Sequence, residues 1–287
     1  MIVAVASGKG GTGKTTVATS LALACEGSVR LLDCDVEEPN AGLLLNPHLT
    51  IAETVELPVP LFSRDLCTQC GKCVEVCAFN ALALAGKELL VFPNLCHGCG
   101  SCFYFCQNNA LTEDRRRIGL VQQGWAGKIA FSRGLLDVGE ALALPVIQEV
   151  KKNIGDEEHT VIDSPPGTSC PVIAAVRGAD FCVVVTEPTP FGLHDLDAVT
   201  ALLQTLGIPH GVVINRYDLG DERVDAFCRE KGIPVLMRIP FDRRIARSIG
   251  RGRPLVAELP EWRERFRQLW RDVERMMWDA RNCSTQR

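Results

Sequence analysis

The sequence lacks the basic excess that nucleic-acid-binding chains usually carry. Its 31 lysines and arginines are outnumbered by 35 aspartates and glutamates, for a formal net charge of −4. Nucleic acid is therefore not expected as the main partner. No apolar run approaches the roughly 18 residues of a membrane-crossing helix. The opening MIVAVASGKGG has neither a basic leader nor a small-residue cleavage site, so a cytoplasmic location is the simplest expectation. Histidine is sparse, with five scattered residues. Hydrophobic residues at 46% and charged residues at 23% are ordinary for a soluble globular chain, and 287 residues suffice for a substantial core. Cysteine, by contrast, is abundant: of 14 residues, eight fall between Cys67 and Cys106. Without a secretory leader, such clustering calls for an explanation other than disulfides.

Residues 2–6 (IVAVA) read as a buried strand, followed by a glycine-rich turn and a helix from about Lys14 to Cys25. Val29–Asp33 is a second apolar run ending in an acid. Residues 57–63 (LPVPLFS) contain two prolines and mark a boundary, and from there to Thr112 the sequence is Cys-rich and turn-rich. After Ile118 an α/β texture resumes, with helical periodicity over 135–153 and 192–206. Strand-like runs follow at 159–162, 181–186, 211–214 and 234–239. Strands alternating with helices predict an α/β fold with a mostly parallel, doubly wound sheet. The sheet needs sequence from both sides of the Cys-rich part. The expected organisation is thus a discontinuous domain (1–56 and 113–287) with a small α+β domain inserted at 57–112.

Ser7-Gly8-Lys9-Gly10-Gly11-Thr12-Gly13-Lys14-Thr15-Thr16 satisfies G-x-x-x-x-G-K-[ST] between a strand and a helix. Glycines let backbone N–H groups converge on phosphate oxygens without Cβ atoms in the way. Lys14 suits the β/γ-phosphates, Thr15 a Mg²⁺ ion, and the helix N-terminus adds favourable partial charge. With its second lysine at Lys9, KGGTGKTT resembles the deviant loop of the MinD/ParA/Mrp branch of P-loop ATPases. The resemblance covers everything outside the Cys-rich part. It implies that Lys9 reaches the partner's phosphates across a nucleotide-sandwich dimer, made of two identical chains or of two paralogues. Asp33-Cys34-Asp35-Val36-Glu37-Glu38-Pro39-Asn40 looks like that family's switch I. By that resemblance Asp35 orients the attacking water and Asp33 lies in the metal's outer shell, or the two roles are exchanged. Val161-Ile162-Asp163-Ser164-Pro165-Pro166-Gly167 resembles switch II, with Asp163 near Mg²⁺ and the Gly167 N–H facing the γ-phosphate. Asn215-Arg216-Tyr217-Asp218 superficially resembles a guanine-reading N-K-x-D element. On family grounds, Asn215 and the loop of Pro240 and Asp242 imply ATP instead.

Cys67-x2-Cys70-x2-Cys73-x3-Cys77 recurs as Cys96-x2-Cys99-x2-Cys102-x3-Cys106. This is the bacterial ferredoxin pattern, in which the fourth cysteine of each run ligates the other cluster. Applied here, one [4Fe–4S] cluster takes Cys67, Cys70, Cys73 and Cys106, and the other takes Cys96, Cys99, Cys102 and Cys77. Zinc is the competing metal, but three cysteines at x2 spacing crowd one tetrahedral site. Ala78 and Gln107 stand where ferredoxins often have proline, which leaves the local turn geometry open.

Cys170, soon after Asp163, reads as a structural thiol at least partly buried, and Cys25, Cys34, Cys182 and Cys228 read as packing residues. Trp262, Phe266, Leu269, Trp270, Val273, Met276 and Met277 fall on one helical face. Its opposite face mixes Arg with Glu and Asp, which favours docking on the core or a partner over a membrane surface. The expected function is ATP-gated electron transfer through two clusters to a redox or metallocentre acceptor protein. The alternatives are an iron–sulfur cluster carrier, disfavoured because the C-terminal half has no CxxC, and a MinD/ParA-like positioning ATPase with structural or sensory clusters.

Overall fold

The computed structural model describes residues 1–86 and 88–284, with side chains up to residue 279. The strands are β1 (Ile2–Ala6), β2 (Val29–Asp33), β3 (His48–Phe62), β4 (Leu82–Ala85), β5 (Glu88–Val91), β6 (Leu111–Ala126), β7 (Ile129–Leu136), β8 (His159–Asp163), β9 (Phe181–Thr186), β10 (His210–Asn215) and β11 (Val235–Ile239). The helices are α1 (Lys14–Ala24), α2 (Ala41–Leu45), α3 (Lys72–Glu75), α4 (Ser101–Tyr104), α5 (Ala143–Lys151), α6 (Cys170–Val176), α7 (Pro190–Thr205), α8 (Arg223–Glu230), α9 (Arg243–Gly250), α10 (Leu255–Glu258) and α11 (Glu261–Ser284). The chain divides into two compact units. One holds Met1–Ala52, Val121–Leu135 and everything from Ala143 onward; the other holds Glu53–Leu120 and Leu136–Leu142.

In the first unit the strand order is β11-β10-β9-β1-β8-β2-β7, continued by β6 and β3, whose far ends belong to the second unit. From β11 to β7 every neighbour is parallel. β1 and β9 are runs of small and β-branched residues buried on both faces, as interior strands of a covered parallel sheet must be. The expected mostly parallel α/β sheet is therefore present.

Two expectations are corrected. Residues 57–63 are not a loop: most of them continue β3, the last strand of the sheet, and the division between the units falls slightly earlier, between Ala52 and Glu53. Pro58 and Pro60 are tolerated there because an edge strand leaves one row of N–H groups without ladder partners. Helical structure over 135–153 shrinks to α5, because β7 runs on to Leu136 and a loop follows.

α11 places Trp262, Phe266, Leu269, Trp270 and Val273 in the main core, with Met276 and Met277 packed at its margin. The Trp270 indole N–H donates to the Leu21 carbonyl of α1 at 2.9 Å, giving the buried ring's polar atom a partner. The apolar stripe thus covers the helix that follows the glycine loop. Among the described residues no helix is long and apolar enough to cross a membrane.

The second unit has little apolar interior. β4 and β5 pair antiparallel, and two small clusters form around Leu82, Leu89 and Leu111 and around Val59 and Ala81. Cys102 and Cys96 are buried members of these clusters.

Candidate functional site

The parallel register sets Asp33, at the end of β2, beside Asp163, at the end of β8, while β1 on the other side of β8 runs into the glycine loop. Ligand sites of such sheets lie beyond the carboxyl ends of the strands. A cleft of about 1030 Å³ is found there, lined by Gly10, Gly11, Gly13, Lys14, Thr15 and Thr16, by Asp35, and by Asn215, Pro240, Phe241 and Asp242. The glycine loop, the segments after β2 and β8 and the loops of Asn215 and Pro240 thus all line one cavity, whereas Gly8, Lys9, Thr12, Asp33, Asp163 and Gly167 do not.

Loop geometry explains its glycines. Gly11 and Gly13 have φ of +76° and +97°, conformations that L side chains rarely adopt. A Cβ on Gly10 or Gly11 would meet no protein atom within 4 Å, leaving their backbone open to the cleft. Gly8 is glycine for a different reason: a Cβ there would fall 2.4 Å from the Asp195 Cβ. The Thr12 carbonyl is held by the Asn215 side-chain amide, which donates to it at 2.8 Å.

Asp163 is wholly buried, and neither carboxylate oxygen makes a well-formed hydrogen bond, although the Thr15 hydroxyl lies close enough to act on it. Burial pushes its pKa up to about 7, against the pull of the Thr15 hydroxyl and the Lys14 ammonium. Asp35 is half-buried; desolvation raises its pKa to about 6, opposed chiefly by Lys14. Asp33 is also fully buried and raised, first by burial and then by Asp163. Its oxygens accept the N–H groups of Ala41 (2.9 Å) and Asp35 (3.3 Å), so it braces the turn that carries Asp35 and does not line the cleft.

Three residues are engaged differently from the sequence expectation. The Gly167 N–H donates to the Ser7 carbonyl at 2.8 Å, which occupies the donor expected to face a γ-phosphate. Asp242 caps α9, accepting the Arg244 N–H at 2.7 Å and pairing with its guanidinium. Lys9 turns to its own chain, with Nζ 3.4 Å from Glu187 Oε2.

In the second unit, the two cysteine runs fold alike. Gly71 and Gly100 open α3 and α4 with φ of +75°, and Asn80 and Asn109 turn the chain at +53° and +51°. Backbone N–H groups point at sulfur in matching pairs: Gln69 to Cys67 (3.4 Å) and Gly98 to Cys96 (3.5 Å), Ala81 to Cys77 (3.3 Å) and Ala110 to Cys106 (3.2 Å). The turns after the fourth cysteines are therefore closed by asparagine and N–H···S contacts, without proline. Cys67, Cys70, Cys73 and Cys106 line one cavity; Cys77, Cys96, Cys99 and Cys102 line another. Among the described residues no three His, Cys, Asp or Glu side chains gather closely enough to hold a metal ion directly.

Residues 3–255 match the CobQ/CobB/MinD/ParA nucleotide binding domain. The chain belongs to that family. An uncharacterised protein of Methanocaldococcus jannaschii is 31% identical over 278 residues, 91% of this chain and 97% of that one. An iron-sulfur cluster carrier protein of Aquifex aeolicus is 26% identical, covering 91% of this chain and 63% of the carrier. The septum site-determining protein MinD of Pyrococcus horikoshii, solved with Mg-ADP, shares the fold at 20% identity with a TM-score of 0.60, covering 96% of each chain.

Within this MinD/ParA-type framework, several contacts had no signal in the sequence. Glu187 accepts both Lys9 and Arg216, the latter at 2.8 Å. The Asp218 carboxylate accepts the Phe241 N–H at 2.6 Å, tying the two far loops of the cleft together. Cys170 is exposed at the start of α6, not buried as expected, whereas Cys25, Cys34, Cys182 and Cys228 are buried.

Proposed function

We propose that this MinD/ParA-type chain is a Mg²⁺-dependent ATPase whose nucleotide-driven dimer switching gates electron transfer through two [4Fe–4S] clusters in the segment 57–112. The nucleotide half rests on Asp163. A buried carboxylate with no well-formed hydrogen bond, drawn on only weakly by the Thr15 hydroxyl and lying beside a glycine-lined cleft, is a poor end state for a protein and a good ligand environment for a hard divalent cation. Mg²⁺ held by Thr15, with Asp163 nearby, supplies positive charge against the phosphate oxygens. Lys14 adds the positive charge of the loop itself, and the open backbone of Gly10 and Gly11 lies against the phosphates. Asp35 orients the attacking water, and Asp33 fixes the turn that holds Asp35 in place. Adenine is favoured over guanine because Asp218, at the N-K-x-D position, already accepts the Phe241 N–H.

The cluster half rests on the pairing of cavities with thiols. Each cavity is lined by three cysteines of one run and the fourth of the other, and two N–H groups are aimed at sulfurs of each set. Thiols placed around a cavity, with donors that favour the thiolate, suit a polynuclear cluster more than a single ion. Such clusters supply one-electron storage. In an apolar interior this small, ligation across the two runs also supplies the cross-links that hold the unit together.

The working state is a homodimer or a heterodimer with a paralogue, and the electron acceptor is a redox or metallocentre protein. Anaerobically reconstituted protein should lose electrons to an external acceptor at a rate that ATP changes; no ATP effect on cluster oxidation sinks the coupling. The similarity to the Aquifex carrier supports a second reading, delivery of clusters. Iron appearing in an apo-acceptor, with depletion of the donor, would select it.

A further inference from the structure

The two cysteine sites repeat each other in backbone, and both have apolar walls, Phe62, Leu84, Leu89, Phe105 and Leu111 in one and Leu82 and Phe103 in the other; they differ in the outer pair that covers them. Around Cys67, Cys70, Cys73 and Cys106 the outer pair is polar: the Asn108 amide donates to the Thr68 hydroxyl at 2.9 Å. At the corresponding positions of the other site, Phe79 stacks on His97, with ring centroids 3.8 Å apart and planes within 7°. Lys72 lines the first cavity, where Ser101 occupies the matching place in the second. Thiol burial differs in the same sense. Cys96 and Cys102 are buried, whereas their counterparts Cys67 and Cys73 are only half-buried. Pro58 and Pro60, which have no N–H to offer, close the second cavity further.

Resting on the cluster reading above, we propose that the two sites are unequal, so that an electron moves from the Cys77/Cys96/Cys99/Cys102 site to the Cys67/Cys70/Cys73/Cys106 site. Reduction adds one negative charge to a cluster. That charge is favoured by nearby polar groups, solvent and a cation, and disfavoured where the thiols themselves are buried, as Cys96 and Cys102 are. The site with Thr68, Asn108 and Lys72 therefore has the higher potential, and the site under Phe79 and His97 the lower. One electron leaves one site and enters the other; no bond forms or breaks. A low-potential one-electron donor from outside replenishes the lower-potential site, which gives the unit a direction: entry beneath the Phe79–His97 stack and rest beside Lys72.

The test is an anaerobic potentiometric titration of the full chain reconstituted with iron and sulfide, read by electron paramagnetic resonance. The Cys70→Ser and Cys99→Ser proteins, each disabling one site, identify the signals. The first electron is expected at the Thr68/Asn108 site in at least tenfold excess, equivalent to about 59 mV for a one-electron couple. Phe79→Asn combined with His97→Thr transplants the polar pair and should narrow the gap. The surface change Lys72→Ser should narrow it from the other side, and equal iron content verifies that each variant is loaded. Equal potentials in the unaltered protein, or the reverse order, overturn the proposal, as does a gap untouched by both sets of changes. Failure to take up iron and sulfide at all is a separate result, which removes the cluster reading itself.

Discussion

Lys9 is held within its own chain by Glu187, Nζ to Oε2 at 3.4 Å, and Arg216 reaches the other oxygen of the same carboxylate at 2.8 Å. For the proposed reach to a partner's phosphates, Lys9 must first leave this pair. Partly exposed ion pairs contribute at most about 1 kcal/mol, so release is within reach of nucleotide binding. Glu187→Gln removes the charge that retains Lys9 and should lower the ATP concentration needed for dimerisation by up to about fivefold. Lys9→Ala should suppress ATP-dependent dimerisation outright. Sedimentation velocity with and without ATP reads both, and an unchanged profile for Lys9→Ala argues against a role across the dimer.

Asp163 makes the nucleotide-free protein sensitive to pH. Burial raises its carboxyl from the ordinary 3.8 up to about 7 and raises the neighbouring Asp33 as well, so the two titrate as a pair. Between those values the folded chain keeps a proton that the unfolded chain has released, so stability falls as pH rises through that window. Asp163→Asn has no such proton to lose. Its melting temperature without Mg²⁺ should decline less from pH 5 to pH 8 than that of the unaltered protein, and at pH 8 should exceed it. Added Mg²⁺ and ATP should then stabilise only the unaltered protein. Identical pH slopes would show that Asp163 is not the group being titrated.

Much of this site was legible because its chemistry is local. The loop from Gly8 to Thr15 and the two cysteine runs carry their geometry in residue spacing, and each contributes residues to a cleft or cavity. Asp33 and Asp163 were legible as acids ending strands, yet only the parallel register puts them side by side. Contacts between distant segments left no trace. Neither the Glu187 pairing nor the Asp218–Phe241 tie follows any periodicity. The same holds for Gly167, whose N–H is taken by Ser7. Proline misled at Pro58 and Pro60, because an edge strand forgives what an interior strand does not. Exposure of Cys170 was likewise unreadable, since a polar residue directly precedes the exposed Cys170 and the buried Cys34 alike.

Separate polypeptide units should fail separately. On the proposed reading, Lys14→Ala removes the loop's phosphate-facing charge and should abolish ATP hydrolysis while leaving any visible absorbance of the reconstituted protein intact. If the proposed clusters form on reconstitution, Cys70→Ser should remove about half the iron, because one cavity would lose a ligand and the other would keep all four. Parallel assays of phosphate release, iron and sulfide decide both. Loss of iron in Lys14→Ala contradicts independence of the two units, and unchanged iron in Cys70→Ser refutes the assignment of ligands.

Two glycines of one loop should respond in opposite ways to the same methyl group. A Cβ on Gly8 would stand 2.4 Å from the Asp195 Cβ and 2.5 Å from its carbonyl oxygen, so backbone has to move. Overpacking of this kind costs about 1–3 kcal/mol, and Gly8→Ala should lower the melting temperature even without nucleotide. Gly10→Ala meets no protein atom within 4 Å and should leave that temperature unchanged. Its methyl would project where Gly10 lines the cleft, so the loss should appear in ATP affinity alone. Calorimetric melting paired with ATP titration separates the two effects. Equal destabilisation by both substitutions would mean that the loop is tuned for packing, with no preference for a phosphate chain.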